Sequence, residues 1–244
     1  MSLFPAIQAA PSGSDTTEAP AANTKAARWF ELALVLFVLF GGALVSSIGV
    51  LKYGTGITGP SSNVRWMGNI VHEVGGLLLL GYVLWRRQRS FRDLGLRWAF
   101  RDLGIGVLVT LGSYVIYFAG TTALYALHHA IWGTFPHGPR AREIFGPGSV
   151  LALLFALLNP FFEELTVRAY LMTEVIELTG SAPLAVFLSV LVQSSYHLYY
   201  GWWRALSISF LFLGFSLYYA RSGRALPIIV AHAVNDIYAT IRLF

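Results

Sequence analysis

Seven apolar runs follow a polar opening stretch, each bounded by charges, glycines or prolines. They lie at 29–51, 64–85, 103–127, 150–175, 183–200, 202–219 and 225–243. A helix needs about 20 mainly apolar residues to cross the hydrocarbon core of a bilayer, and runs of this length predict helices rather than strands. The expected fold class is therefore all-α, a polytopic transmembrane helix bundle of about seven spans. The stretch 1–28 is rich in Ala, Pro, Ser and Thr, with few large apolar side chains. It cannot bury enough surface to fold and predicts a disordered N-terminal tail. It is mildly acidic (Asp15, Glu18) and lacks a basic start followed by an apolar core, so it does not read as a secretory signal. Residues 29–244 predict one membrane-embedded domain without internal repeats. Two loops are long, 53–63 and 128–148; the second is rich in Gly, Pro and His and is expected to hold a short interfacial segment.

Composition sharpens this picture. Hydrophobic residues make up 56% of the chain and charged residues 12%, about half the charge of soluble domains. That excludes a disordered protein and argues against a soluble enzyme. With no cysteine, disulfides, thiol catalysis, iron–sulfur clusters and cysteine zinc sites are excluded. The net charge of +5 comes from arginines at span ends. There is no basic stripe with interleaved aromatics, so the expected contacts are anionic lipid head groups and not nucleic acid. The densest group is Arg86, Arg87, Arg89, Arg92, Arg97 and Arg101. The positive-inside bias makes that loop cytoplasmic, together with Lys25, Arg28, Arg221 and Arg224. Lys52, Arg65, Arg140, Arg142, Arg204 and Arg242 then face the other side.

Ionisable side chains inside spans are costly, about 2.5–3.5 kcal/mol each on insertion scales, and mark function by default. Glu163 and Glu164 are adjacent near mid-span, with Arg168 one turn on. Glu164 and Arg168, at i,i+4, share a helix face and can pair. Glu163 points about 100° away and is left without a helix-local partner, free to act as a general base. The bland reading is a Glu–Arg pair that only holds helices together. His197 lies near the end of the fifth span, and His232 and Asp236 share a face of the last one. A carboxylate there can fix a histidine's tautomer and orientation. His72 and Glu73 in the second span lie either close to a bundle-internal polar cluster or, the preferred expectation, near an interface, and His128, His129 and His137 are expected in solvated loop. Tyr199, Tyr200, Trp202 and Trp203 read as an aromatic belt. Ser194 and Ser195 precede His197 but form no nucleophile elbow.

Glu163-Glu164-x-x-x-Arg168, then His197, then His232-x-x-x-Asp236 resembles the CPBP family. These are membrane-embedded type II CAAX prenyl endopeptidases and bacteriocin-processing or immunity proteins, also called Abi proteins. The run Tyr196-His197-Leu198-Tyr199-Tyr200-Gly201-Trp202-Trp203 resembles bacterial members, and Phe91-Arg92-Asp93-Leu94-Gly95-Leu96-Arg97 resembles the usual entry to the core. The resemblance covers about 91–244. Two positions depart from or vary the pattern: Gln193 stands where the second motif usually has Phe, and Asp236 ends the third motif with Asn235 just before it.

The resemblance implies an intramembrane endopeptidase of a bacterial cytoplasmic membrane, acting on a membrane-associated protein or peptide. Glu163 would activate water. His197 and His232 would position it or stabilise the oxyanion, helped by Asp236, and Glu164 and Arg168 would support the site. No metal is the preferred expectation. The rival is zinc held by Glu163, His197, His232 and Asp236, all acceptable ligands. A different class of function, a non-proteolytic membrane scaffold or bacteriocin self-immunity protein, would be favoured by loss of a glutamate or histidine, and none is lost. A proton-coupled transporter fits less well, because the polar groups cluster in late spans without an inverted repeat.

Overall fold

The computed structural model describes residues 24–54 and 62–244. Of the expected tail over 1–28, residues 1–23 lie outside the described residues, as does most of the first long loop, whereas 25–28 already form the first turn of helix. The described elements are helical: α1 (Lys25–Tyr53), α2 (Ser62–Arg86), α3 (Arg101–Trp132), α4 (Ala141–Phe145), α5 (Val150–Glu163), a π-helical segment (Glu164–Tyr170), α6 (Leu171–Thr179), α7 (Ala182–Tyr196), α8 (Trp202–Ser222) and α9 (Ala225–Ile241). The all-α bundle expected from the apolar runs is thus the observed architecture.

Each run became helix, but not all reach membrane length. α1, α2, α3 and the continuous stretch Val150–Thr179 are long and apolar enough to cross a bilayer. α7 has 15 residues and α9 has 17, roughly 22–26 Å at 1.5 Å per residue. The fifth run ends early because the chain turns at His197 into a short 3₁₀ turn, Leu198–Tyr200. Conversely, α3 continues to Trp132 and takes His128 and His129 out of the loop. The expected interfacial segment between the third and fourth runs is α4.

Local chemistry sets the ends. The side chains of Thr24, Ser149 and Ser181 accept backbone N–H groups three residues on, from Ala27, Ala152 and Leu184, satisfying otherwise orphaned donors. Left-handed glycines stop α3, α6 and α8 at Gly133, Gly180 and Gly223. Gly95, at φ +81°, has a further reason to be glycine: a Cβ there would overlap the Gly223 carbonyl. That close approach lets Ala225 N–H donate to the Gly95 carbonyl at 3.1 Å, tying the 87–100 loop to the start of α9.

The buried centre is the stretch 164–176, every residue of which is buried. α5 packs on α2 and α9, α3 on α8 and α9, and α7 on α6, α8 and α1. The outer faces expose Phe37, Leu78, Leu108 and Val115. Apolar surface this extensive suits lipid, not water. At one end Arg28, Arg87 and Arg89 converge on the buried carboxylate of Glu174, with N–O distances of 2.7, 2.8 and 3.3 Å. Glu177 and Glu31 complete the network. The N-terminal arginine and those of the α2–α3 loop, grouped by charge bias, thus meet at one end of the bundle.

Candidate active site

Pro160 lies inside α5. It has no N–H to return to the preceding turn, and four residues later the helix widens into the π-helical segment. Wide turns of this kind are rare and concentrate at functional sites. The Thr166 hydroxyl donates to the Phe162 carbonyl at 2.6 Å within this transition. The segment departs from the uniform α-helix expected around the glutamate pair.

Glu164 and Arg168 are both fully buried, with Oε1 and a guanidinium nitrogen 3.1 Å apart, as the i,i+4 spacing predicts. The guanidinium also lies over the rings of Phe212 and Phe215, at 5.1 and 5.9 Å from their centroids. Buried arginine charge is thus met by a carboxylate and two aromatic faces.

The two glutamates do not do unrelated jobs. Both address His232, from opposite edges of the ring. Nδ1 is 2.7 Å from Glu164 Oε1, while Nε2 is 3.4 Å from Asp236 Oδ1 and 3.9 Å from Glu163 Oε2. The expected partner Asp236 is therefore near His232, but Glu164 holds it more closely. A carboxylate accepting from Nδ1–H fixes the ring and directs Nε2 to the space between Glu163 and Asp236.

His197 caps the end of α7 with φ −92° and ψ 6°, a sparsely allowed conformation often found at active sites. Its Nδ1 is 2.7 Å from the Gln193 carbonyl. A carbonyl only accepts, so Nδ1 carries the proton, and in the neutral form of the ring the lone pair is on Nε2.

These residues border one cavity of about 1130 Å³, whose wall includes Glu163, His197, His232 and Asp236. Tyr199 and Tyr200 border it too, so they are not simply a lipid-facing belt. Three further polar residues belong to the site, two of them, Gln193 and Asn159, without a sequence expectation of this role. Gln193, fully buried, donates from Nε2 to Glu163 Oε2 at 2.5 Å. Asn159 donates from Nδ2 to Asp236 Oδ2 at 2.8 Å. Glu73, with an interface the preferred expectation over an internal polar cluster, is 4% exposed and lines the cavity. Helical spacing held a signal for two of them: Asn159 and Glu163, and Gln193 and His197, are i,i+4 pairs in apolar helices. His72 borders the cavity as well, but its Nε2 is taken up 2.8 Å from the Leu39 carbonyl. His128 is a second correction: it is buried, edge-on to Trp203, with Nδ1 2.7 Å from the Thr134 carbonyl. His129 and His137 are exposed, as expected. The Ser195 hydroxyl donates to the Val192 carbonyl.

The zinc alternative requires three or more side chains converging on one point. Among the described residues no group of three or more His, Asp or Glu side chains is arranged to hold a metal ion, and no step below is routed through one.

Comparison with curated proteins and with solved structures gives no match. The sequence model of the family described as type II CAAX prenyl endopeptidase Rce1-like matches residues 144–238. That span contains Glu163, Glu164, Arg168, Gln193, His197, His232 and Asp236. Residues 144–238 are thus similar to the Rce1-like type II CAAX prenyl endopeptidases, in agreement with the resemblance to the CPBP family carried by the sequence motifs.

Proposed function

We propose that the protein is an intramembrane endopeptidase that hydrolyses a peptide bond with water activated by Glu163. The observation that carries this reading is the convergence of Glu163 from α5, His197 from the C-terminal cap of α7 and His232 from α9 on the wall of one large cavity. Peptide hydrolysis needs a base, a water and hydrogen-bond donors where the oxyanion forms.

Glu163 takes a proton from water, and the hydroxide adds to the scissile carbonyl carbon. His232, held through Nδ1 by Glu164, presents Nε2 to the same space; protonated there, it donates to the oxyanion. Asp236 steadies that nitrogen and is itself held by Asn159. His197 presents its free Nε2 lone pair to the attacking water. Collapse of the tetrahedral adduct breaks the C–N bond, and the proton held by Glu163 passes to the leaving amine. Arg168 keeps Glu164 in place as the anchor of His232. A cavity within the bundle limits competing water and strengthens each of these interactions.

The proposed substrate is a membrane-associated protein or peptide, and the proposed location is the cytoplasmic membrane of a bacterium. No metal is invoked, since Glu163 supplies the base. The test is cleavage of fluorogenic membrane peptides by purified protein in detergent micelles, with and without a chelator. Chelator-resistant hydrolysis supports the reading; chelator-sensitive hydrolysis restored by added zinc replaces it with a metalloprotease.

A further inference from the structure

Glu73 is the one carboxyl on the cavity wall that the proposed chemistry leaves unused. It lies midway along α2, 4% exposed, with Oε2 buried and no hydrogen bond or ion pair among the described residues. Its charged neighbours are Glu163 and Asp236, which repel it, and His232, which is already held by Glu164 and Asp236. The adjacent His72 is committed to the Leu39 carbonyl. One turn on, α2 comes so close to Phe162 that a Cβ on Gly76 would overlap its ring. The backbone there is built to bring this part of α2 against the residue that precedes Glu163.

A buried polar group without a partner is costly and uncommon, and invites a reason. A peptide presented for hydrolysis supplies one. Its scissile segment must leave the helical state for water to reach the carbonyl. Its freed N–H groups then need acceptors, and a largely apolar cavity offers few. The α1 share of the cavity wall is mostly apolar, with Leu39, Phe40, Gly42 and Ala43, while α2 adds the amide of Asn69 one turn before Glu73. Ser47 is spent on the Tyr196 carbonyl. We infer that Glu73 is a substrate-binding residue whose carboxyl accepts a backbone N–H of the unwound peptide. This rests on the hydrolytic reading for its substrate class, an extended peptide, but its test does not depend on turnover.

The probe is a fluorescently labelled 12-residue peptide of Ala, Val, Leu and Gly, bound to the full chain carrying Glu163→Gln in detergent micelles. Adding Glu73→Leu should raise Kd at least tenfold. Glu73→Gln, whose amide oxygen still accepts, should keep most of the affinity. The melting temperature of Glu73→Leu should be unchanged or higher, because an unpartnered buried carboxyl has been removed. A scan of single backbone N-methyl groups should find one position that weakens binding when Glu73 is present and adds no loss in the Glu73→Leu protein. An unchanged Kd, no saturable binding of the peptide, or a clear fall in melting temperature would overturn the inference. Glu73-dependent binding together with no cleavage by the wild-type protein would leave it standing and refute the hydrolytic reading instead.

Discussion

The side-chain amide of Gln193 donates to Glu163 over 2.5 Å, both groups being buried. A phenylalanine, usual at this position in the family that the sequence resembles, has no such donor. The contact fixes one carboxylate oxygen and with it the direction of the other. Gln193→Met keeps length and removes the donor. Turnover should fall about 10–100-fold, in line with effects of supporting hydrogen bonds around reactive groups, while KM changes little. Steady-state kinetics on a fluorogenic peptide measure both, and an equal rise in KM would mean that Gln193 serves binding instead.

Arg168 sits between Glu164 and the rings of Phe212 and Phe215. Arg168→Ala leaves Glu164 charged and short of a partner in a low-dielectric interior. Removing one member of a buried pair costs about 3–5 kcal/mol. Denaturation in mixed micelles should show a loss of that order, and hydrolysis should fall with it because Glu164 anchors His232. An unchanged melting temperature would show that the pair is not the support described.

The three-arginine cluster on Glu174 predicts a different signature. Glu174 is 1% exposed, whereas its arginines are 11–22% exposed, so solvent screens part of the attraction. Glu174→Gln should cost about 1.5–3 kcal/mol, the range for hydrogen bonds to charged groups. The difference from wild type should narrow as salt is raised from 0.05 to about 1 M, since the Debye length shrinks from over 10 Å to about 3 Å. Thermal denaturation across a salt series measures this.

Much of the architecture was legible because apolar runs of span length leave a chain few alternatives. The Glu164–Arg168 pair was legible too, since i,i+4 spacing alone puts both groups on one face. What escaped were relations between distant helices. Nothing near Glu73 decides between an internal polar cluster and an interface, because the close approach at Gly76 depends on Phe162, far along the chain. His128 looked like loop because Gly, Pro and His follow it, yet α3 runs on and Trp203 of α8 covers the ring. The joint hold of both glutamates on His232 was missed because uniform α-helical geometry was assumed where Pro160 precedes a wider turn.

Metal dependence separates the two hydrolytic chemistries that these residue types allow. With Glu163 as base, exhaustive chelation should leave peptide cleavage within about twofold of the untreated rate, and elemental analysis should find well below one zinc per chain. Loss of activity on chelation, regained with zinc bound stoichiometrically and lost in His197→Ala, would assign these side chains as ligands.

Glu163→Gln tests the central claim most directly. The amide preserves volume and can still meet Gln193, but it cannot take a proton from water. Cleavage of a fluorogenic membrane peptide by this variant should fall at least about 10³-fold, the scale of losing a general base, with the melting temperature within a few degrees of wild type. Turnover within tenfold of wild type in the folded variant would contradict the account.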